Sequence, residues 1–84
     1  MTQRIALVTG GTRGIGAAIS IALKNAGYKV AANYATNDDA ANAFLKETGI
    51  PIYKWNIADF DACTKGIAAV QAELGGAVEV LVNN

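Results

Sequence analysis

The segment Thr9–Gly16, TGGTRGIG, places four glycines and one arginine directly after a short apolar run. Glycine has no Cβ, so such a loop can turn sharply and bring its backbone close to a ligand. A helix that begins at the loop offers free N–H groups and the positive end of its dipole, which together favour phosphate groups. Arg13 adds a full positive charge at the same place. The segment is therefore predicted to bind the phosphates of a nucleotide.

The spacing of these glycines narrows the class of nucleotide site. Gly10, Gly14 and Gly16 follow the pattern G-x-x-x-G-x-G rather than G-x-G-x-x-G. A phosphate-binding P-loop is excluded because no Gly-Lys-Ser/Thr follows. A glycine pattern alone could mark an ordinary strand-to-helix turn. Here it follows a strand-like run and opens an amphipathic helix at the start of a βαβ series, which favours a dinucleotide.

The choice of dinucleotide depends on charge. Sites that read the ribose hydroxyls of NAD commonly hold a carboxylate at the end of the second strand, where this chain has Asn33 and Tyr34. Arg13 could instead pair with the 2′-phosphate of NADP, an interaction worth about 1.5–3 kcal/mol. The alternatives are a merely solvated Arg13 and a ribose carboxylate from Asp38 or Asp39, whose position better fits the first turn of a helix. NADP, as NADPH, is predicted over NAD.

Alternating apolar runs and segments of helical period predict the elements that position this loop. The predicted strands are Ile5–Val8, Lys29–Tyr34, Ile52–Ile57 and Val78–Val82. The predicted helices run from Gly14 to Asn25, from an N-cap at Asn37 to Gly49, and from an N-cap at Asp59 to Gly75. This β-α-β-α-β-α-β order predicts an α/β fold, a Rossmann-type three-layer α/β/α sandwich whose parallel sheet has the truncated strand order 3-2-1-4.

The helical periodicity also predicts which side chains face the sheet. The stripe expected for the first helix is Ile15, Ala18, Ile19, Ala22, Leu23 and Ala26. The inner face expected for the second helix is Ala41, Phe44, Leu45 and Thr48, and that of the third is Cys63, Ile67, Val70 and Leu74. Trp55 is expected to pack against a helix rather than stack on a ligand.

The amino-acid composition limits which binding partners and which cellular compartment are expected. Seven basic and seven acidic residues cancel, which argues against nucleic acid or a membrane surface as partner. No apolar run approaches the roughly 20 residues of a membrane span, and no signal peptide is expected. A single cysteine, Cys63, excludes an internal disulfide and fits a reducing cytoplasm. The lack of histidine removes the Ser-His and Cys-His nucleophile pairs, and no metal site is predicted.

Three motifs together resemble one enzyme family. Thr9–Gly16 resembles the TGxxxGIG signature of the short-chain dehydrogenase/reductase family, Asn56–Asp59 its adenine-contacting stretch, and Leu81–Asn84 the start of its N-N-A-G motif. The motifs occur in the family's order, and the resemblance covers the whole chain. It is greatest to bacterial 3-oxoacyl reductases, especially the acetoacetyl-CoA reductases that supply polyhydroxybutyrate synthesis. The resemblance implies an oxidoreductase that uses NADPH to convert 3-oxoacyl thioesters to 3-hydroxyacyl thioesters.

The resemblance and the loop argument together give a set of cofactor-binding candidates. The amide of Asn56, which departs from the family's usual aspartate, would accept from the adenine amino group, and Ile57 would pack on the adenine ring. Asn83 and Asn84 would lie near the nicotinamide ribose, although a strand-end turn would also explain them. The full set of candidates is Gly10, Gly11, Thr12, Arg13, Gly14, Ile15, Gly16, Asn33, Tyr34, Asn56, Ile57, Asn83 and Asn84.

The catalytic residues that the family uses are a Ser, a Tyr and a Lys four positions after that Tyr. The residues four positions after the three tyrosines are Ala32, Asp38 and Ile57, and the only serine, Ser20, is interpreted as an ordinary helix residue. Residues 1–84 are therefore expected to be the N-terminal dinucleotide-binding part of a longer reductase, with no second domain and no activity alone.

Other interpretations stay open at this point. A stand-alone or engineered mini-domain, acting only as a nucleotide-binding or structural module, would also lack the catalytic set. A family member that reduces a sugar or a steroid would share the same cofactor-binding motifs. The fourth strand would carry an exposed apolar edge at Val78, Val80, Leu81 and Val82, so self-association through this edge is predicted.

Overall fold

The computed structural model describes residues 3–84 and contains seven elements. The strands are β1 (Ile5–Thr9), β2 (Lys29–Tyr34), β3 (Ile52–Lys54) and β4 (Val78–Asn83). The helices are α1 (Gly14–Asn25), α2 (Asp38–Thr48) and α3 (Phe60–Leu74). All strand pairs are parallel and the order is β3-β2-β1-β4, which confirms the predicted fold class and strand order.

The central strand β1 is buried along its whole length because helices cover both faces of the sheet. On one face, Ile5 and Leu7 join Val70 of α3 in a cluster of buried apolar side chains. On the other face, Val8 joins Phe44 of α2, with Ile19 and Leu23 of α1 packed against that cluster. These two cores fix the carboxyl ends of β1, β2 and β4 at one edge of the sheet.

Helix α1 has the predicted bounds and part of the predicted face. Ile19 and Leu23 pack against the core as expected. Ile15 is 75% exposed, and Ala18, Ala22 and Ala26 are also exposed, so these four positions were predicted wrongly. The buried positions of α1 are Gly16 and Ser20, because the start of the helix approaches the glycine loop so closely that only small side chains fit there.

The remaining helix ends follow the sequence signals. The Asn37 side chain accepts a hydrogen bond from the Ala40 N–H, and the Asp59 side chain accepts one from the Ala62 N–H, so both predicted N-caps are confirmed. Gly49 and Gly75 adopt the left-handed conformation that ends α2 and α3. Within α2, Leu45 departs from its predicted inner position because it is 39% exposed.

Strand β3 is shorter than predicted, since it ends at Lys54 rather than at Ile57. Its partner β2 ends at Tyr34, whose carbonyl still accepts from the Trp55 N–H over 3.0 Å. Beyond that point the Asn56 carbonyl accepts from the Asp59 N–H, which forms a turn. Trp55 is buried against α3, as predicted. No helix within residues 3–84 has the length and apolar character needed to cross a membrane.

Candidate functional site

The glycine loop joins the carboxyl end of β1 to the start of α1. Its conformation requires glycine for two different reasons. Gly10 and Gly14 have φ angles of 60° and 59°, in the left-handed region that other residues rarely adopt. At Gly16 the reason is close approach, because a Cβ there would lie 1.9 Å from the Gly10 carbonyl oxygen. The loop therefore folds back on the first turn of α1.

Hydrogen bonds from Gly11 and Ser20 hold the middle of the loop. The Gly11 N–H donates to the Asn33 carbonyl of β2 over 3.0 Å. The Ser20 hydroxyl, fully buried in α1, lies 3.0 Å from the Gly11 carbonyl oxygen and 2.9 Å from that of Gly16. A Cβ on Gly11 would lie only 2.8 Å from both Ser20 Oγ and the Val8 carbonyl oxygen. Gly11 and its neighbour Thr12 are thus both buried.

Asn83 and Asn84, at the end of β4, contact the loop directly. The Thr9 hydroxyl donates toward Asn83 Oδ1 at 3.2 Å or the Val82 carbonyl at 3.4 Å, and it accepts from the Asn84 N–H over 3.0 Å. Asn84 Nδ2 donates to the Gly10 carbonyl over 3.3 Å. Both predicted asparagines therefore lie next to the glycine loop, and their hydrogen bonds support its shape.

A cleft of about 190 Å³ opens between this loop and the segment that follows β2. It is lined by Gly10, Thr12, Arg13, Tyr34, Ala35, Thr36 and Asn37. The first turn of α1 contains no acidic residue, and Arg13 immediately precedes it with an extended backbone. The Arg13 side chain is exposed and forms no ion pair with any residue of 3–84. This end of the cleft is therefore electropositive.

The two predicted residues of β2 lie in different places. Tyr34 lines the cleft, as expected. Asn33 is only 2% exposed, and its amide donates to the Trp55 carbonyl over 3.0 Å. The side chain of Asn33 is thus committed to the segment after β3, and only its carbonyl, through Gly11, acts on the loop. The prediction that Asn33 binds the cofactor stays a prediction, and the structure leaves its backbone rather than its side chain for that contact.

The two carboxylates considered for the ribose belong to the first turn of α2. Asp38 is paired with Lys54 Nζ at 3.1 Å and accepts a hydrogen bond from the Tyr34 hydroxyl over 3.0 Å. The hydrogen bonds from Lys54 and Tyr34 hold the pKa of Asp38 below its usual value, while burial and the bond to Asp38 raise the pKa of Tyr34. The cleft therefore has no unpaired carboxylate beside Tyr34.

The predicted adenine-contacting residues lie further along the same edge of the sheet. Asn56 is exposed, and its Oδ1 accepts from the Ala58 N–H over 2.9 Å. Ile57 is 49% exposed, which leaves an apolar side chain at the surface beyond β3. Neither residue lines the 190 Å³ cleft, although both follow the strand next to β2.

A larger groove of about 390 Å³ lies at the opposite edge of the sheet, away from the glycine loop. Two of its lysines already donate to helix ends, Lys24 to the Thr48 carbonyl and Lys29 to the Leu74 carbonyl. Because its cations are used to satisfy the last carbonyls of α2 and α3, we assign this groove a structural role. Within residues 3–84 no group of three or more His, Cys, Asp or Glu is placed to hold a metal ion.

Sequence reasoning missed two residues of this site. Ser20 was interpreted as an ordinary helix residue, and Lys54 was not considered. A signal for Ser20 existed in its i, i+4 spacing from Gly16, which places both small residues on one face of α1. For Lys54 there was no local signal, because its partner Asp38 belongs to another element.

Comparison with known proteins identifies the family to which this loop and sheet belong. Residues 4–84 match the family model described as short chain dehydrogenase. The chain is a member of the short-chain dehydrogenase family. Acetoacetyl-CoA reductases of this family from Shinella zoogloeoides and Paracoccus denitrificans are 68% identical over 98% of the chain and 69% identical over 96% of it. The chain spans about a third of the length of these relatives (34% and 33%).

Solved structures share the fold of this chain. An actinorhodin polyketide ketoreductase, solved with NADPH, matches 98% of this chain with a TM-score of 0.87 and 32% identity, over 33% of its own length. The protein BdcA, in complex with NADPH, matches all of the chain with a TM-score of 0.83 and 36% identity, over 32% of its own length. The suspected resemblance to short-chain dehydrogenases and to acetoacetyl-CoA reductases is thus confirmed.

Proposed function

We propose that this chain is the NADPH-binding part of a reductase that acts on 3-oxoacyl thioesters. The observation that carries the proposal is the charge of the cleft. Arg13 stands unpaired at the start of α1, and the nearby carboxylate of Asp38 is neutralised by Lys54. A free carboxylate would repel the 2′-phosphate of NADP, whereas Arg13 would bind it.

The shape of the loop fits the rest of such a cofactor. The close contact of Gly16 with the Gly10 carbonyl holds the loop against the start of α1, where the first N–H groups of the helix have no intrahelical partner. We propose that Gly14, Ile15 and Gly16 hold the pyrophosphate and that Thr12 and Arg13 hold the 2′-phosphate. When bound, NADPH would supply a hydride to the ketone carbon of the substrate.

The other candidates are proposed to contact the ends of the cofactor. Tyr34 would lie beside the adenosine ribose, Asn56 and Ile57 at the adenine, and Asn83 and Asn84 near the nicotinamide ribose. The proposal for Asn84 is compatible with its bond to Gly10, because one amide hydrogen and the amide oxygen stay free.

The substrate class rests on the relatives rather than on residues of this chain. Acetoacetyl-CoA reductases are 65–69% identical to it, which favours a short 3-oxoacyl thioester over a sugar or a steroid. No tyrosine of the chain has a lysine four positions later. We therefore propose that the 84 residues alone do not reduce acetoacetyl-CoA, and for this chain alone a nucleotide-binding module is the second candidate function.

Two further proposals concern the cellular compartment and the self-association of the chain. The single Cys63, half-buried on the inner face of α3, fits a reducing cytoplasm. Strand β4 is at the edge of the sheet described here, and Leu81 is 58% exposed on it. We propose that this edge mediates self-association of the chain.

Calorimetric titration of the chain with NADP⁺ and with NAD⁺ tests the proposed function. We expect NADP⁺ to bind more tightly, and Arg13→Ala to weaken NADP⁺ about 10- to 100-fold while changing NAD⁺ little. Arg4→Ala is the matched control, since Arg4 is the other arginine and is paired with Glu79 away from the loop. Equal affinity for both dinucleotides, or no effect of Arg13→Ala, would contradict the proposal.

A further inference from the structure

Ser20 is a residue of α1 that is fully buried beneath the glycine loop. Its hydroxyl lies within hydrogen-bond distance of two carbonyl oxygens, those of Gly11 and Gly16. A hydroxyl has one proton to donate, and the Gly16 carbonyl is also the i−4 acceptor of the helix. The Gly11 carbonyl belongs to no helix or strand, and among residues 3–84 the Ser20 hydroxyl is its only hydrogen-bond donor.

The bond to Gly11 fixes the orientation of one peptide group. The peptide bonds of the described chain are all trans, so the carbonyl of Gly11 and the N–H of Thr12 point in opposite directions. With the Gly11 carbonyl directed inward to Ser20, the Thr12 N–H is directed outward. Thr12 accordingly lines the cleft, whereas Gly11 does not.

Within residues 3–84 the Thr12 N–H is available as a hydrogen-bond donor to a ligand in the cleft. Thr12 is only 6% exposed, and within residues 3–84 its N–H donates to no acceptor. Buried backbone N–H groups almost always have a partner, so one that faces a cleft beside Arg13 is suited to an anionic oxygen. The preceding peptide is held by the Gly11 N–H on the Asn33 carbonyl, so the peptide between Gly11 and Thr12 is anchored on its N-terminal side.

We infer that Ser20 is a positioning residue of the cofactor site, which aims the Thr12 N–H at a phosphate oxygen by holding the Gly11 carbonyl. This inference rests on the proposed function, in that NADP⁺ is the phosphate-bearing ligand. Ser20 itself does not touch the ligand. Its removal frees the peptide between Gly11 and Thr12 to rotate, which weakens phosphate binding.

The test compares Ser20→Ala with Thr48→Ala. Thr48 is a matched control because its hydroxyl also bonds the carbonyl four residues earlier in a helix, Phe44, but it lies in α2 away from the loop. We expect Ser20→Ala to raise the Kd for NADP⁺ about five- to tenfold and Thr48→Ala to leave it unchanged, although both lower the stability. Ser20→Cys, which keeps the unbranched side chain but has a larger atom and a weaker donor, is expected to weaken NADP⁺ binding as well and serves if Ser20→Ala does not fold.

Inorganic phosphate, followed by the amide shifts of Thr12 and Arg13, separates this inference from the proposed function. If wild-type chain binds phosphate there but not NADP⁺, the proposed function fails and the phosphate affinities of the variants decide the role of Ser20. Unchanged affinity in Ser20→Ala or Ser20→Cys overturns the inference. Binding of neither ligand by the wild-type chain overturns both.

Discussion

Asn84 Nδ2 donates to the carbonyl oxygen of Gly10 over 3.3 Å, so the last residue of the chain supports the loop that follows the first strand. The contact depends on the parallel pairing of β1 with β4, in which Thr9 lies opposite Asn83. The same Asn84 amide would lie 2.8 Å from a Cβ on Gly16, so it packs where the loop meets α1. The end of β4 is thereby next to the glycine loop, at the carboxyl ends of the strands.

Asn84→Ala removes this support. We expect a loss of about 0.5 kcal/mol in the free energy of unfolding, since one exposed neutral hydrogen bond is lost, and a weaker affinity for NADP⁺. Urea denaturation and calorimetric titration measure the two effects. Asn42→Ala, at an exposed position of α2, is the control and should change neither. An Asn84→Ala variant with wild-type stability and affinity would show that the contact is incidental.

The substitutions Gly16→Ala and Gly14→Ala separate the two reasons for glycine in the loop. Gly16 is required by close approach of the backbone and Gly14 by its positive φ. At Gly16 a methyl group would meet the Gly10 carbonyl, a backbone atom that cannot move without distorting the loop. At Gly14 the space is open, but φ is +59°. We expect urea denaturation to show a loss of about 3 kcal/mol or more for Gly16→Ala and about 1–2 kcal/mol for Gly14→Ala. The reverse order would be incompatible with this loop geometry.

Tyr53 gives the chain a pH dependence at the alkaline end. Burial, a hydrogen bond with Glu73 and the negative charge of Glu73 raise the pKa of Tyr53 to about 12. Because an unfolded tyrosine ionises near pH 10, this group's contribution to stability is complete below about pH 10 and is lost as the pH rises towards 12.

Titration of the tyrosinate absorbance measures this pKa. We expect a transition near pH 12 in the wild-type chain that is absent in Tyr53→Phe. In Glu73→Gln the transition should move to lower pH, because both the hydrogen bond and the charge are altered. A Tyr53 that ionises near 10 in the folded chain would refute the assigned environment.

The edge of β4 provides a test of self-association. Light scattering at increasing concentration should show species larger than the monomer, and Leu81→Lys should reduce them by placing a charge on the exposed edge strand. Leu45→Lys is a suitable control, since Leu45 is also partly exposed but lies on α2. A strictly monomeric wild-type chain would rule out association through this edge.

The order of elements was predictable because the relevant signals are local. Apolar runs mark the strands, while Asn37 and Asp59 begin helices by bonding N–H groups three residues away. The parallel 3-2-1-4 order then follows from right-handed crossovers between short connections. The length of β3 was not predictable from its own residues, since it ends where its partner β2 ends.

The contacts of Asn33 and Ser20 were not predictable from the sequence for a common physical reason. Both are buried polar residues, and the function of a buried polar side chain depends on acceptors from distant parts of the chain. Asn33 donates to the segment after β3 and Ser20 to the loop before α1. Sequence periodicity correctly placed Ile19 and Leu23 of α1 against the core, but contact with the loop buries the small residues Gly16 and Ser20 as well.

A residue-resolved NMR titration of the backbone amides with NADP⁺ locates the cofactor site on this chain. We expect the shifts to concentrate at Gly10–Gly16 and at Tyr34–Asn37, the two sides of the 190 Å³ cleft. In Arg13→Ala the same shifts should require higher NADP⁺ concentrations. Shifts confined to the groove at the opposite edge of the sheet, or a well-dispersed spectrum that NADP⁺ does not change, would refute cofactor binding at this cleft.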